Sequence, residues 1–174
     1  IKGLAVVDDI LRHAKSKDTW VVLMAGGQGS RLRPLTEETP KPLLKIGDKA
    51  ILELIVENFV KQGFRQFYIS VNYRAETIKT HFGDGKRWGA EIRYLQESET
   101  MGTAGSLRLI KELPETPLLV MNADLLTKVD FHRLLDYHQS HGAAATMGVR
   151  EYDFQVPFGV VRLDGDSVKS IDEK

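Results

Sequence analysis

Apolar runs and amphipathic stretches alternate along the chain from about residue 20 onward. Residues 20–24 (WVVLM) are a short apolar, β-branched run that predicts a buried strand. Residues 51–62 (ILELIVENFVKQ) carry apolar side chains at 51, 52, 54, 55, 56, 59 and 60. Most of these fall on one helical face, and Gly63 stands where a helix-ending residue belongs. Residues 67–71 (FYISV) predict the next strand, AETIKTHF a short helix, and GDGKRWG a turn-rich link. EIRYLQ alternates as a strand does, AGSLRLIKEL predicts a helix stopped before Pro114, and PLLVMN is a fully apolar strand. Asp130 opens an amphipathic helix, FHRLLDYHQSH, which Gly142 ends. Residues 143–149 predict a further strand, and FGVVRLDGDSVKSID a hairpin with Asp164 and Gly165 as its turn pair.

Strands separated by helices imply an α/β fold: a Rossmann-like, mixed but mostly parallel sheet with helices on both faces. Ligands of such sheets bind beyond the carboxyl ends of the strands, which places AGGQGSR and NADLL at a mouth, since each follows an apolar strand. A length of 174 residues suits about one domain, spanning residues 19–174. Residues 1–18 fit the sheet poorly and read as a linker or the tail of an upstream module. Ile1 and the terminal IDEK give both ends the look of cuts from a longer chain, so the domain is expected to be truncated at its C-terminus.

Composition narrows the function. Lys+Arg and Asp+Glu both number 24, a balance that argues against a general nucleic-acid or membrane-surface binder. The sequence holds no cysteine, hence no disulfide framework, thiolate nucleophile or Cys-based zinc site; this fits a reducing cytoplasm. No apolar run approaches the ~18 residues that span a bilayer.

The unusual stretch is VVLMAGGQGSRLRPLTEETPKPLLKIG, residues 21–47. Gly26, Gly27 and Gly29 let the backbone approach a ligand and aim successive N–H groups at an anion. A dinucleotide fingerprint starting at Gly27 needs glycine at 32, where Leu32 stands, and the Gly-Lys-Ser/Thr of a P-loop is absent. The segment is therefore a third kind of phosphate loop, or a glycine-rich turn with no ligand. Two cations favour the first. Arg31 offers a planar, permanent charge suited to phosphate, and Lys41 is held on an extended backbone between Pro40 and Pro42.

With these residues in place, LMAGGQGSRLRPLTEETPKPLLKIGDKAILE closely resembles the signature of the sugar-1-phosphate nucleotidylyltransferases, the NDP-sugar pyrophosphorylases. QESETMGTAGSL is similar to that family's base-recognition segment, and NADLL to its metal-binding turn, with Ala123 where glycine is usual. FGVV and IDEK resemble its sugar-binding segments, so the likeness runs from about Trp20 to Lys174. The local pattern resembles the bacterial mannose-1-phosphate guanylyltransferase-like branch.

The resemblance implies a reaction in which a sugar 1-phosphate attacks the α-phosphorus of an NTP, with GTP favoured, giving NDP-sugar and pyrophosphate. It implies that the backbone from Met24 through Ala25 and Gly26 to Gly27 lines the nucleotide. Arg31 would hold the leaving phosphates, and Lys41 would neutralise the reacting ones. Gln96, Gly102 and Thr103 would meet the base, although Thr103 reads equally as a helix cap. Asp124 would bind Mg²⁺ as the cofactor, together with substrate phosphates. Ala123 puts a methyl where backbone and nucleotide approach. Gly159 and Glu173 would meet the sugar, and Lys174 its phosphate. Family members continue beyond this point and carry a second metal-binding aspartate there. Two further expectations follow for partners: upstream CBS regulatory domains, suggested by residues 1–18, and self-association into a homo-oligomer. The competing reading is a catalytically silent homologue that senses sugar nucleotides, against which Arg31, Lys41 and Asp124 speak. A nicotinamide-dinucleotide domain is disfavoured by Leu32. His13, His81, His132, His138 and His141 show no metal spacing; the last three read as surface residues of one helix, and Trp20 and Trp88 as packing residues.

Overall fold

The structure, a computed structural model, describes residues 17–99, 101–153 and 158–172. In chain order these form β1 (Lys17–Met24), two 3-10 turns, the two-residue strands β2 (Lys45–Ile46) and β3 (Lys49–Ala50), and α1 (Ile51–Lys61). There follow β4 (Phe64–Val71), α2 (Ala75–Phe82), β5 (Glu91–Gln96), a 3-10 helix at Gly105–Leu109 and β6 (Leu119–Asn122). The last elements are α3 (Phe131–His141), β7 (Val160–Asp164) and β8 (Ser167–Asp172).

Consecutive apolar residues in a strand can all be buried only if both faces of its sheet are covered. β1 meets that condition. It pairs in parallel with β4 on one side and β6 on the other, and β4 pairs in parallel with β5, giving the order β5-β4-β1-β6. Val21 and Leu23 face a core built with Leu52, Ile55, Val56 and Phe59 of α1, Ile78 and Phe82 of α2, and Phe131 and Leu135 of α3. Phe59 anchors this core: its ring stacks on Phe131 with centroids 4.2 Å apart and meets Phe64 edge-on at 5.6 Å. Trp20 and Val22 face the other way, packing with Tyr68, Leu95 and Ile110 beneath the 3-10 helix.

The helix predicted over AGSLRLIKEL is that 3-10 helix alone. Its bonds run three residues back, from the Leu107 N–H to the Ala104 carbonyl and from the Ile110 N–H to the Leu107 carbonyl. Ile110 then adopts extended backbone and buries its side chain in the second core, so burial ends the helix where propensity would have continued it. The N-cap is Ala104 without a side-chain bond, so Thr103 caps nothing. Residues 143–149 form no strand; Met147 and Val149 are exposed, because an apolar run without a ladder partner gains no burial. His132 is not a surface residue: it is 3% exposed, its ring 5.4 Å from that of Phe64, because it shares the inward face of α3 with Phe131 and Leu135. Trp20 and Trp88 pack as expected, against Tyr68 and Phe82 respectively.

The chain divides at Tyr137 and His138 into two units. The second contains the β7–β8 hairpin, whose turn lies one residue later than predicted, with Gly165 at φ 59° between the paired Asp164 and Ser167. Residues 1–16 lie outside the described residues, and Lys17 and Asp18 already belong to β1. No helix among the described residues is long and apolar enough to cross a membrane.

Candidate active site

Taken in sequence, the four parallel strands lie in the order third, second, first, fourth, so the direction in which strands are added to the sheet reverses between β1 and β6. At such a reversal the loops leaving two neighbouring strands diverge and leave a crevice at their carboxyl ends. Here the crevice is fixed by backbone bonds. The Ala25 N–H donates to the Ser70 carbonyl at 2.9 Å, and the Ala123 N–H donates to the Met24 carbonyl at 3.1 Å. Both post-strand segments, AGGQGSR and NADLL, therefore begin side by side.

The glycines have separate reasons. A Cβ on Gly26 would lie 2.8 Å from the Glu97 carboxylate. Gly29 turns the chain with φ 64°, and a Cβ there would press to 3.0 Å on Thr36. Thr36 is 1% exposed and its hydroxyl donates to the Gly29 carbonyl at 2.9 Å, stapling the loop to its own return. The Tyr73 hydroxyl and the Arg74 guanidinium both donate to the Glu37 carbonyl, at 3.0 and 2.7 Å, from the far side. The pinned loop delivers Lys41 to the end of β6, where its ammonium forms an ion pair with the Asp124 carboxylate.

The result is a pocket of 380 Å³. It is lined by Met24, Ala25, Gly26, Gly27, Arg31, Lys41, Gly102, Thr103 and Asp124, nine of the residues singled out in the sequence, together with Gly29, Pro42, Glu97, Asn122 and Ala123. Arg31 is exposed and, among the described residues, forms no hydrogen bond or ion pair. Ala123 is 1% exposed and its methyl belongs to the helix-side core, so it does not obstruct the crevice. Gln96 is exposed and outside the lining. Its neighbour Glu97 is the residue that reaches the pocket, and the period-two alternation continued from Leu95 would have found it. Gly159 lies in the second unit, exposed just before β7; Glu173 and Lys174 lie outside the described residues.

A hard divalent cation suits oxygen ligands and keeps few protein ones when phosphates supply the rest. Asp124, with a side chain 35% exposed in the pocket, offers such an oxygen. No group of three or more His, Asp or Glu residues able to hold an ion occurs among the described residues, so any ion here would depend on ligand oxygens. Two cations, a candidate ion ligand and a glycine loop thus converge on one crevice, whose charges suit a polyphosphate.

Comparison with known proteins points the same way. The Nucleotidyl transferase family model matches residues 20–174. The chain is 37% identical over 162 residues to the mannose-1-phosphate guanylyltransferase catalytic subunit beta of Drosophila pseudoobscura pseudoobscura, covering 90% of this chain and 43% of that protein. It is 34% identical over 155 residues to a mannose-1-phosphate guanyltransferase of Candida albicans, covering 87% of this chain and 43% of the relative. The chain spans less than half the length of these curated relatives. Among solved structures, HddC from Yersinia pseudotuberculosis, complexed with GMP-PN, superposes with a TM-score of 0.62 at 24% identity, over 90% of this chain and 69% of that one. A Bacillus anthracis protein described as a glucose-1-phosphate thymidylyltransferase, in complex with a sucrose, gives a TM-score of 0.70 at 22% identity, over 92% and 64%. At these identities the structures speak for the fold.

Proposed function

The chain belongs to the nucleotidyl transferase family, and from that premise we propose that the protein transfers a guanylyl group from GTP to a sugar 1-phosphate, releasing pyrophosphate. The convergence of Arg31, Lys41 and Asp124 on the glycine loop carries this reading. In the reaction a phosphate oxygen of the sugar forms a bond to the α-phosphorus as the bond from that phosphorus to the β-phosphate oxygen breaks. No covalent enzyme intermediate is needed, and catalysis rests on alignment and charge neutralisation.

Backbone N–H groups at Gly26 and Gly27, both in the pocket lining, would receive the phosphates. Arg31, without a partner among the described residues, engages the β- and γ-phosphates, where its fork can hold two oxygens at once. Lys41, held by Asp124 without ligand, moves to the oxygens of the reacting α-phosphate. Asp124, with the ligand's phosphates, would hold Mg²⁺, which supplies positive charge against the charge developing on those oxygens. The full-length relatives named for mannose 1-phosphate make that the first sugar to try. Pyrophosphate release from GTP with mannose 1-phosphate, on a chain continued past Lys174, tests the proposal; absence of turnover with every sugar phosphate, despite nucleotide binding, would leave a sensor instead.

A further inference from the structure

Among the described residues a single non-glycine adopts left-handed backbone: Arg74, with φ 50° and ψ 40°. Such backbone crowds the Cβ of an L-residue, and glycine or asparagine is its usual occupant. Arg74 opens α2, yet its side chain makes no cap bond to the helix, and the residue is exposed. Neither the helix nor the core therefore explains an arginine there, and backbone strain without a local reason points to a task elsewhere. The hydrogen bonds show where. The Arg74 guanidinium donates through Nη2 to the Glu37 carbonyl at 2.7 Å and through Nε to the Tyr73 hydroxyl at 3.1 Å. That hydroxyl donates in turn to the Glu37 carbonyl at 3.0 Å. Together the two residues form a clamp rooted in β4, an interior strand whose last residue, Val71, is fully buried. The clamp grips the chain midway between Arg31 and Lys41. Beside it the buried Thr36 donates to the Gly29 carbonyl, which also accepts the Leu32 N–H at 2.9 Å and so starts the 3-10 turn that carries Arg31. Neither Tyr73 nor Arg74 lines the pocket.

We propose that Arg74, with Tyr73, is a positioning residue for nucleotidyl transfer: from outside the pocket it fixes the loop whose two cations engage the phosphates. The inference rests on the nucleotide site described above. A loop free to leave its place lowers the apparent affinity for a ligand by the fraction of molecules in which it is in place. The left-handed backbone at Arg74 is then the local strain accepted for aiming the guanidinium at Glu37.

Arg74→Gly separates this task from a purely structural one, because glycine adopts left-handed backbone freely while both guanidinium bonds are removed. Thermal unfolding and isothermal calorimetry with GTP and Mg²⁺, both on this chain, give two readouts. The midpoint of Arg74→Gly is expected within about 2 °C of wild type, or above it. GTP should nevertheless bind about tenfold more weakly, as a loop in place in about one molecule in ten requires. The ligand-free ¹H–¹⁵N spectrum gives a third readout: the amides of residues 29–33 should shift or broaden in Arg74→Gly, and those of β5 should not. Tyr73→Phe, which leaves residue 74 untouched, should weaken GTP binding by a few-fold in the same way. Unchanged GTP affinity in both variants, or unmoved loop amides, overturns the proposal. A midpoint well below wild type, with affinity lost in step, overturns it too and leaves Arg74 a residue of the fold alone. Failure of the wild type to bind GTP contradicts the nucleotide site itself, and the proposal with it, an outcome distinct from a wild type that binds and a variant that does so equally well.

Discussion

The sheet has a cavity at each end, and the two are similar in size: 380 Å³ beyond the carboxyl ends of the strands and 330 Å³ at their amino ends. Both contain cations and carboxylates. At the amino end, lined by Asp18, Arg65, Gln66, Lys86 and Glu91, both cations have partners inside the protein, and of the two carboxylates Glu91 is paired while Asp18 is exposed. Lys86 pairs with Asp84 at 2.7 Å, a hydrogen bond that raises the lysine's pKa and lowers the aspartate's. Arg93 pairs with Glu91 at 2.7 Å, and Arg65 donates to the carbonyls of Val60 and Phe64. At the carboxyl end Lys41 and Asp124 neutralise each other, while Arg31 and Glu97 form no ion pair among the described residues. Volume does not separate the two cavities. A cation without a partner among the described residues, Arg31, does, combined with glycines that open the backbone to a ligand.

The sharpest way to break this comparison is to remove one lysine from each side in turn. Lys41→Ala should lower turnover by about 10²–10³-fold, the usual cost of one preorganised electrostatic group, whereas Lys86→Ala should leave it unchanged; pyrophosphate release with saturating GTP reports both. Equal effects would dissolve the distinction. Next in size is Gly26→Ala, whose methyl would sit 2.8 Å from a Glu97 oxygen. Overpacking against a buried, hydrogen-bonded carboxylate should cost about 1–3 kcal/mol in urea unfolding. Gly27→Ala, with nothing within 4 Å, should stay within about 0.5 kcal/mol. Thr36→Val removes the hydroxyl bonded to the Gly29 carbonyl and should cost about 1 kcal/mol, while loosening the Arg31 loop enough to weaken GTP binding measured by calorimetry.

The smallest effect contrasts a spent carboxylate with Glu97. Burial pushes the Glu53 carboxyl up, yet the Ala50 N–H, His81 and Arg87 together outweigh it and hold its pKa below the ordinary 4.5. A carboxyl depressed on folding stabilises the fold above its unfolded pKa, and that contribution is lost as pH falls through the lower folded value. The stability gap between wild type and Glu53→Gln should therefore be present at pH 7 and close in acid, as urea midpoints would show. Nucleotide preference should not change.

Much of this organisation can be read from the chain, and the residues that cannot share a cause. Periodicity reports burial, so α2 over AETIKTHF and β5 over EIRYLQ match their predicted spans. Where burial is decided by a distant partner, local pattern is silent. The fate of residues 104–113 turned on Ile110 finding the second core, and His132 is buried because of where α3 lies against Phe64. In the crevice, the glycine loop, Arg31, Lys41 and Asp124 stand out through spacing and resemblance. Their meeting does not, since Lys41 and Asp124 are 83 residues apart and come together only through the strand-order reversal. Glu97 was hidden by a single step of strand phase, which sends Gln96 and Glu97 to opposite faces.

The most direct test is a ¹H–¹⁵N NMR titration of this chain with GTP and Mg²⁺. The account predicts that amide shifts concentrate in residues 24–31, at Lys41 and Glu97, and at residues 102–103 and 122–124, while Arg65, Gln66 and residues 86–91 stay put. Shifts centred on the amino-end cavity, with the glycine loop unmoved, would contradict it.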